Sequence, residues 1–319
     1  MADERRGSAL LAVLWLSAAL AAIAFSLAAT VRGELERTAT AADGARAYYL
    51  AAGGLERALL YMGWGPNYFP PWATRLHFAF PSGEAVVEIA PESAKLNLNS
   101  SPPEDLLRLL LALGAPPERA AAIVRAILDW RSPSPAQGLT EFDRYYLALT
   151  PSFRSRHASF QEIEELLLVN GMTTELFYGS LQRDPAGRLA PRAGLVDCVS
   201  AYGGGGPVDV NTAQPAVLAA VGLGPQGVAA ILQARQARPF RSPDELRQLG
   251  LGSELSARLG VGGSGTYTLR STARLRLVDG KFSDLARSVG ATVMLGGSGS
   301  DGGYQVLRWR DRIWAQDLR

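Results

Sequence analysis

Arg5-Arg6-Gly7-Ser8-Ala9-Leu10-Leu11-Ala12-Val13-Leu14-Trp15 decides how the rest of the chain is read, because a short charged leader runs without a break into an apolar segment. No residue from Ser8 to Val31 carries a charge, and Ala, Leu, Val, Ile and Phe dominate the stretch. As a helix rising about 1.5 Å per residue, it spans a hydrocarbon core of about 30 Å. The leader, Met1 to Gly7, carries Asp3, Glu4, Arg5 and Arg6. An Arg pair retained on the cytoplasmic face would send everything after Val31 outward. A secretory signal peptide cut near Ser26-Leu27-Ala28 is the alternative, but its apolar region runs only about 7–15 residues.

The helix is expected to continue past the membrane. Arg32, Glu34, Glu36, Arg37, Asp43 and Arg46 are interleaved with alanine, and Arg32 with Glu36 and Glu34 with Arg37 stand at pairing distance along a helix. Tyr48, Tyr49, Ala52, Leu55, Leu59 and Tyr61 then mark a face that packs on a sheet, and Gly63, Gly65 and Pro66 stop the element. A single helix from Ser8 to Met62 would be about 80 Å long, more than a globular domain needs.

Beyond it the periodicity changes. Leu76 to Phe80 and Glu84 to Ile89 read as strands around Pro81-Ser82-Gly83, and Tyr267 to Val278 alternates up to the turn at Asp279-Gly280. Leu285 to Leu295 and Tyr304 to Trp309 supply two more. Between about Ala94 and Gly263 the pattern is helical, with loops expected at Gly203 to Gly206 and Asp184 to Gly194. The fold class is therefore α+β: a leader (1–7), a transmembrane and spine helix (8–62), a small antiparallel sheet domain (63–93 with 264–319), and an all-helical insert (94–263).

The insert repeats itself. Asn99-Ser100-Ser101, Leu113-Gly114 and Ala120 to Ile123 are echoed by Asn211-Thr212-Ala213, Leu223-Gly224 and Ala229 to Ile231, while Phe160 with Glu165 is echoed by Phe240 with Glu245. Two related modules follow, with Asn and Ser/Thr expected as helix caps. Val221-Gly222-Leu223-Gly224-Pro225 resembles a helix-hairpin-helix turn, whose glycines would let backbone amides meet a phosphate. Charge argues against that use, because residues 94–263 hold 16 Lys/Arg and 16 Asp/Glu and the whole chain is only +2. No nucleic-acid partner is expected; the alternative is a membrane-anchored DNA receptor of a competence pilus.

Other chemistry is sparse. The two histidines, His77 and His157, offer no triad or His-based metal cluster, so neither an enzyme nor a cofactor is expected and a membrane-anchored hydrolase has no catalytic constellation to build on. Cys198, the single cysteine, excludes an intrachain disulfide and reads as a small half-buried hydrophobe. The lysines are Lys95 and Lys281 only.

The leader resembles that of a type IV prepilin, which implies cutting between Gly7 and Ser8 by a prepilin peptidase. Pilins carry Glu at the fifth mature position; here it is Ala12, a departure similar to that of the K class of type II secretion minor pseudopilins (general secretion pathway protein K). Ala94-Lys95-Leu96-Asn97-Leu98-Asn99, Asp129-Trp130-Arg131, Tyr145-Tyr146, Glu165-Leu166 to Gly171-Met172-Thr173, Val210-Asn211-Thr212-Ala213 and Leu307-Arg308-Trp309-Arg310 resemble the motifs of that class, in order. The resemblance implies a pilin-like sheet with an inserted helical domain at the tip of a periplasmic pseudopilus. Its implied partners are I- and J-class minor pseudopilins, the major pseudopilin, the inner-membrane assembly platform and the membrane. It also implies calcium in some members; Glu141, Asp143 and Asp301 are the oxygen donors here, without the spacing of an EF-hand. Assembly contacts are expected on the spine helix, through Arg32, Glu36, Ala45 and Ala52, its alanines at 39, 41, 42, 45, 47, 51 and 52 admitting a second helix.

Overall fold

A computed structural model describes residues 4–136, 138–183, 187–203, 206–263, 265–296 and 303–311. Helix α1 (Glu4–Gly63) is unbroken over 60 residues, about 90 Å. Its apolar part is long enough to cross a membrane and stands bare of protein contacts. Five antiparallel strands lie in chain order across one sheet: β1 (Arg75–Phe80), β2 (Gly83–Pro91), β3 (Thr266–Arg276), β4 (Phe282–Leu295) and β5 (Tyr304–Arg310). The strands fall close to where alternation and turn residues place them; β2 buries alternate residues, while β4 is buried at every residue from Val289 to Val293.

One face of the sheet lies on the last third of α1. Ala47, Leu50, Ala51, Leu55, Ala58, Leu59 and Met62 bury against Ala85, Val87, Ile89, Leu269, Ala273, Val289, Ala291 and Val293. Gly54 sets the approach distance: a Cβ there would sit 2.6 Å from the Ala85 Cβ and 2.8 Å from the Ser271 hydroxyl. Helix and sheet meet closely because this glycine has no side chain. The face differs in phase from expectation, since Tyr49 is 73% exposed while Ala47 and Ala51 are buried. Two of the alanines expected to receive a second helix are thus used internally.

Between β2 and β3 the chain leaves the sheet and returns to it. Pro91 pairs with Tyr267, so the exit and re-entry points are neighbours and a long excursion costs little in loop closure. The excursion has its own core, centred on Leu98, Leu106, Leu109, Leu110, Ile123, Tyr146, Leu166, Phe177, Val217, Leu218 and Ile231. It contains α2 (Pro103–Ala112), α3 (Pro117–Arg131), α4 (Glu141–Leu147), α5 (Thr174–Tyr178), α6 (Pro215–Ala220), α7 (Pro225–Ala237), α8 (Pro243–Arg247) and α9 (Ser253–Ala257). It is not all-helical. Leu96–Asn97 pairs in parallel with Val199–Ser200, Val208–Asp209 with Leu259–Gly260, and Ser180–Arg183 pairs antiparallel with Leu189–Arg192, the second of these strands falling inside the stretch from Asp184 to Gly194 expected to be loop.

Candidate assembly surface and paired helical modules

On α1 the surface facing away from the sheet begins with charge. Glu34 pairs with Arg37 at 2.7 Å and Asp43 with Arg46 at 3.1 Å, both well exposed, so each contributes a few tenths of a kcal/mol as found for pairs along a helix. Arg32 and Glu36 are exposed and no ion pair between them is seen among the described residues. Ala42, Ala45, Tyr49, Gly53 and Leu60 continue the stripe; Ala52 is half-buried beside it. On one flank Tyr48 donates to Asp311 at 2.8 Å and Tyr304 to Glu56 at 3.0 Å, tying α1 to β5. On the other, Tyr61 packs edge-on to Phe78 at 5.2 Å with the Arg57 guanidinium over that ring at 5.0 Å. The open stripe between these flanks is small and weakly apolar, with Tyr49 and Leu60 as its large side chains. Gly7 and Ser8 lie inside the helical backbone of α1.

The insert crowns the end of the sheet remote from the anchor. Glu92 leaves β2, is buried, and accepts hydrogen bonds from Thr268 at 2.6 Å and from Ser200. Arg308 of β5 pairs with Glu162, and Arg241 lies over the Trp72 ring at 5.5 Å.

Within the insert the sequence repeat becomes a repeat of bonds. Asn99 donates to the Phe160 carbonyl at 3.0 Å and accepts from its N–H at 2.7 Å; Asn211 does the same with Phe240 at 3.0 and 2.9 Å. These asparagines clasp a distant peptide and do not cap helices, contrary to the expectation from sequence. The helix starts lie further on, at Pro103 and Pro215, without side-chain caps. Arg131 donates to the Leu98 and Ser101 carbonyls, Arg235 to those of Val210 and Ala213. Glu165 and Glu245 each accept from backbone N–H groups four residues back. Burial opposes ionisation of Glu165, yet the Trp130 indole and the Gln161 and Glu162 amides outweigh it and hold the carboxyl below its usual range. The arginine correspondence was hidden because its spacing from the asparagine differs between modules.

Each module turns between its paired helices in the same way. Gly114 has φ +74° and donates to Leu111, while Ala115 donates to Leu110; Gly222 has φ +106° and donates to Ala219, while Leu223 donates to Leu218. This Schellman arrangement needs a left-handed residue, hence glycine. It also occupies the Gly222 and Leu223 amides that a phosphate would need. Arg258 covers the Val221 carbonyl at 2.9 Å, and Leu255 lies against Gly222. Gly224 starts α7 at an ordinary φ of −69°.

Asp143 is buried, its carboxylate accepting from the Thr140 N–H at 3.2 Å and facing His157 Nε2 at 3.1 Å. Glu141 is exposed at the start of α4, and Asp301 lies outside the described residues. No cluster of three or more His, Cys, Asp or Glu that could hold a metal is found among the described residues. Burial acts against charge on both partners, yet the mutual hydrogen bond prevails: His157 is raised above its ordinary value and Asp143 lowered below its own. Burial and the nearby Asp197 push the Cys198 thiol up to about 12, so it is inert.

Known proteins share this arrangement. Family models described as type II secretion system protein K match residues 88–180 and 208–262, the first reaching from β2 to the start of the hairpin and the second covering the Asn211 module. These two stretches resemble the type II secretion system protein K family and together make up just under half of the chain, 148 of 319 residues. Protein K of Klebsiella pneumoniae is 30% identical over 200 residues, covering 56% of this chain and 61% of the relative. Protein K of Pseudomonas aeruginosa is 30% identical over 186 residues, covering 53% of this chain and 50% of the relative. The matches thus span only half to three-fifths of these relatives' lengths. A chain from the crystal structure of the GspK–GspI–GspJ complex of enterotoxigenic Escherichia coli superposes with a TM-score of 0.59 at 18% identity, over 86% of this chain and 98% of that one, which establishes a shared fold.

Proposed function

We propose that this chain is a minor pseudopilin of the type II secretion system protein K family: α1 anchors it in the inner membrane with the sheet and insert in the periplasm, and it assembles with I- and J-class minor pseudopilins at the tip of a type II secretion pseudopilus. The observation that carries this is the polarity of the molecule, with a bare spanning helix at one end and the insert crowning the other. A subunit so capped offers its α1 stripe sideways and leaves no room for another subunit above it, which suits a first-in position from which the filament supports export. A helix partner of the kind named in the E. coli complex fits the small-residue stripe through Ala45, where backbones approach closely. The role is structural and asks for no catalysis. We take Gly7–Ser8 as the processing site of the prepilin peptidase and the major pseudopilin and assembly platform as later partners. Co-expression of the full chain with its I- and J-class partners tests the assignment: Ala45→Trp should reduce co-purification, and unchanged recovery would remove the helix stripe from the interface.

A further inference from the structure

At the anchor-facing end of the sheet, β3 and β4 are joined by a hairpin turn with an unusual surface. Val278 is 109% exposed relative to a free residue, Leu277 47% and Phe282 36%, and Pro81 of the neighbouring turn is exposed beside them. Turn formation does not require this: Gly280, with φ +83°, and the Leu277 N–H to Lys281 carbonyl bond at 2.7 Å close the hairpin whatever side chains stand at 277, 278 and 282. Cations surround the apolar tip. The Arg276 guanidinium lies 5.0 Å above the Phe282 ring, Lys281 projects into solvent 3.7 Å from Asp279, and the exposed Arg287 reaches toward α1 at Gly44.

The position of the tip follows from its contacts with α1. Ser271 lies at Gly54, Gly83 (paired with Leu275) at Leu50, and Arg287 at Gly44, so the sheet descends toward the membrane as it approaches the turn. The turn, a few residues further on, stands opposite helix residues around position 40, about 10–15 Å above Val31. A headgroup layer is about 5–8 Å deep, and the average tilt of a spanning helix, about 20°, lowers one side of the domain further.

We propose that the Leu277–Phe282 hairpin is a second membrane contact, resting its apolar tip among the headgroups of the leaflet from which α1 emerges, with Lys281, Arg276 and Arg287 favouring anionic phospholipid. Apolar side chains flanked by cations suit that interface, and anionic lipid attracts each basic residue near the surface. The contact restrains the soluble domain on the long helix before assembly and must break when the subunit is extracted. It rests on α1 spanning the membrane.

The test uses the full chain in nanodiscs of phosphatidylcholine alone or with about a quarter phosphatidylglycerol. Buried Cys198 resists labelling, so a single fluorophore goes at Val278→Cys, Ala19→Cys or Glu254→Cys, and lipids spin-labelled at the headgroup or in the acyl chain serve as quenchers. The expected result is strong acyl-chain quenching at position 19, headgroup quenching and a blue shift at 278 that grow with phosphatidylglycerol, and neither at 254. Lys281→Glu with Arg276→Glu should abolish the dependence on phosphatidylglycerol. Quenching at 19 with solvent-like emission at 278 would overturn the hairpin contact alone, as would a 278 signal that responds to I- and J-class partners in detergent and not to lipid. Absence of quenching at 19 would overturn the anchor and the contact together.

Discussion

Gly222 and Gly224 look alike in the sequence and differ in the fold. Gly222 holds a left-handed φ of +106° with Leu255 at 3.1 Å from where a Cβ would be, whereas Gly224 is in ordinary backbone with open space beside it. Gly222→Ala should therefore cost about 1–3 kcal/mol in denaturant unfolding and Gly224→Ala less than about 1; equal effects would contradict the capped turn. His157 and Asp143 supply a second test. His157, raised from 6.5, contributes stability that is complete below about pH 6.5 and lost as pH rises through its native value; Asp143, lowered from 3.8, contributes above about pH 3.8 and loses it on acidification through its native value. The pair holds the loop after α4 best between those limits. His157→Gln should remove about 1 kcal/mol at pH 5.5 and much less at pH 8.5, measured by thermal melts across pH; a pH-independent loss would refute the ion pair. At this scale the sequence revealed the glycines and the repeated asparagines but not their work. An asparagine before a helical run reads as a cap, and only the folded chain brings Phe160 or Phe240 against it.

The elements separate by how much pattern each contains. Strands β1 to β5 were legible within three residues because alternation and the Pro81-Ser82-Gly83 and Asp279-Gly280 turns mark them. The two-residue ladders at Leu96 and Val208 were not, since two residues carry no period. In α1 the span and the length were clear, but the phase was not: from Ala39 to Gly54 small residues occur on every side, so no stripe of bulk points to the sheet. Tyr49 was placed inward and is outward; Ala47 and Ala51 are buried. The corrected phase separates two substitutions by mechanism. Ala47→Trp should overpack the helix–sheet contact and lower stability by about 1–3 kcal/mol, while Ala45→Trp, on the exposed side, should leave the melting temperature unchanged and weaken partner recovery. The reverse pattern would show that the helix is rotated relative to the sheet.

At the scale of the whole molecule, insert and sheet have separate cores joined by Glu92, Arg308 and Arg241, and the insert is electrically neutral at 16 against 16 charges. With its turn amides already bonded, the insert should bind duplex DNA no better than an unrelated neutral protein, and a salt-sensitive submicromolar complex would revive a DNA-receptor role. The leader cut should appear by intact mass as a mature chain beginning at Ser8. On the proposed function, α1 joins this subunit to other pseudopilins through its open stripe. The most direct measurement places a photo-crosslinking residue at Ala45, or at Glu254 on the insert, in cells producing the I- and J-class partners. Adducts with a partner's helix are expected from position 45 and none from 254; adducts from 254 with none from 45 would place the interface on the insert instead.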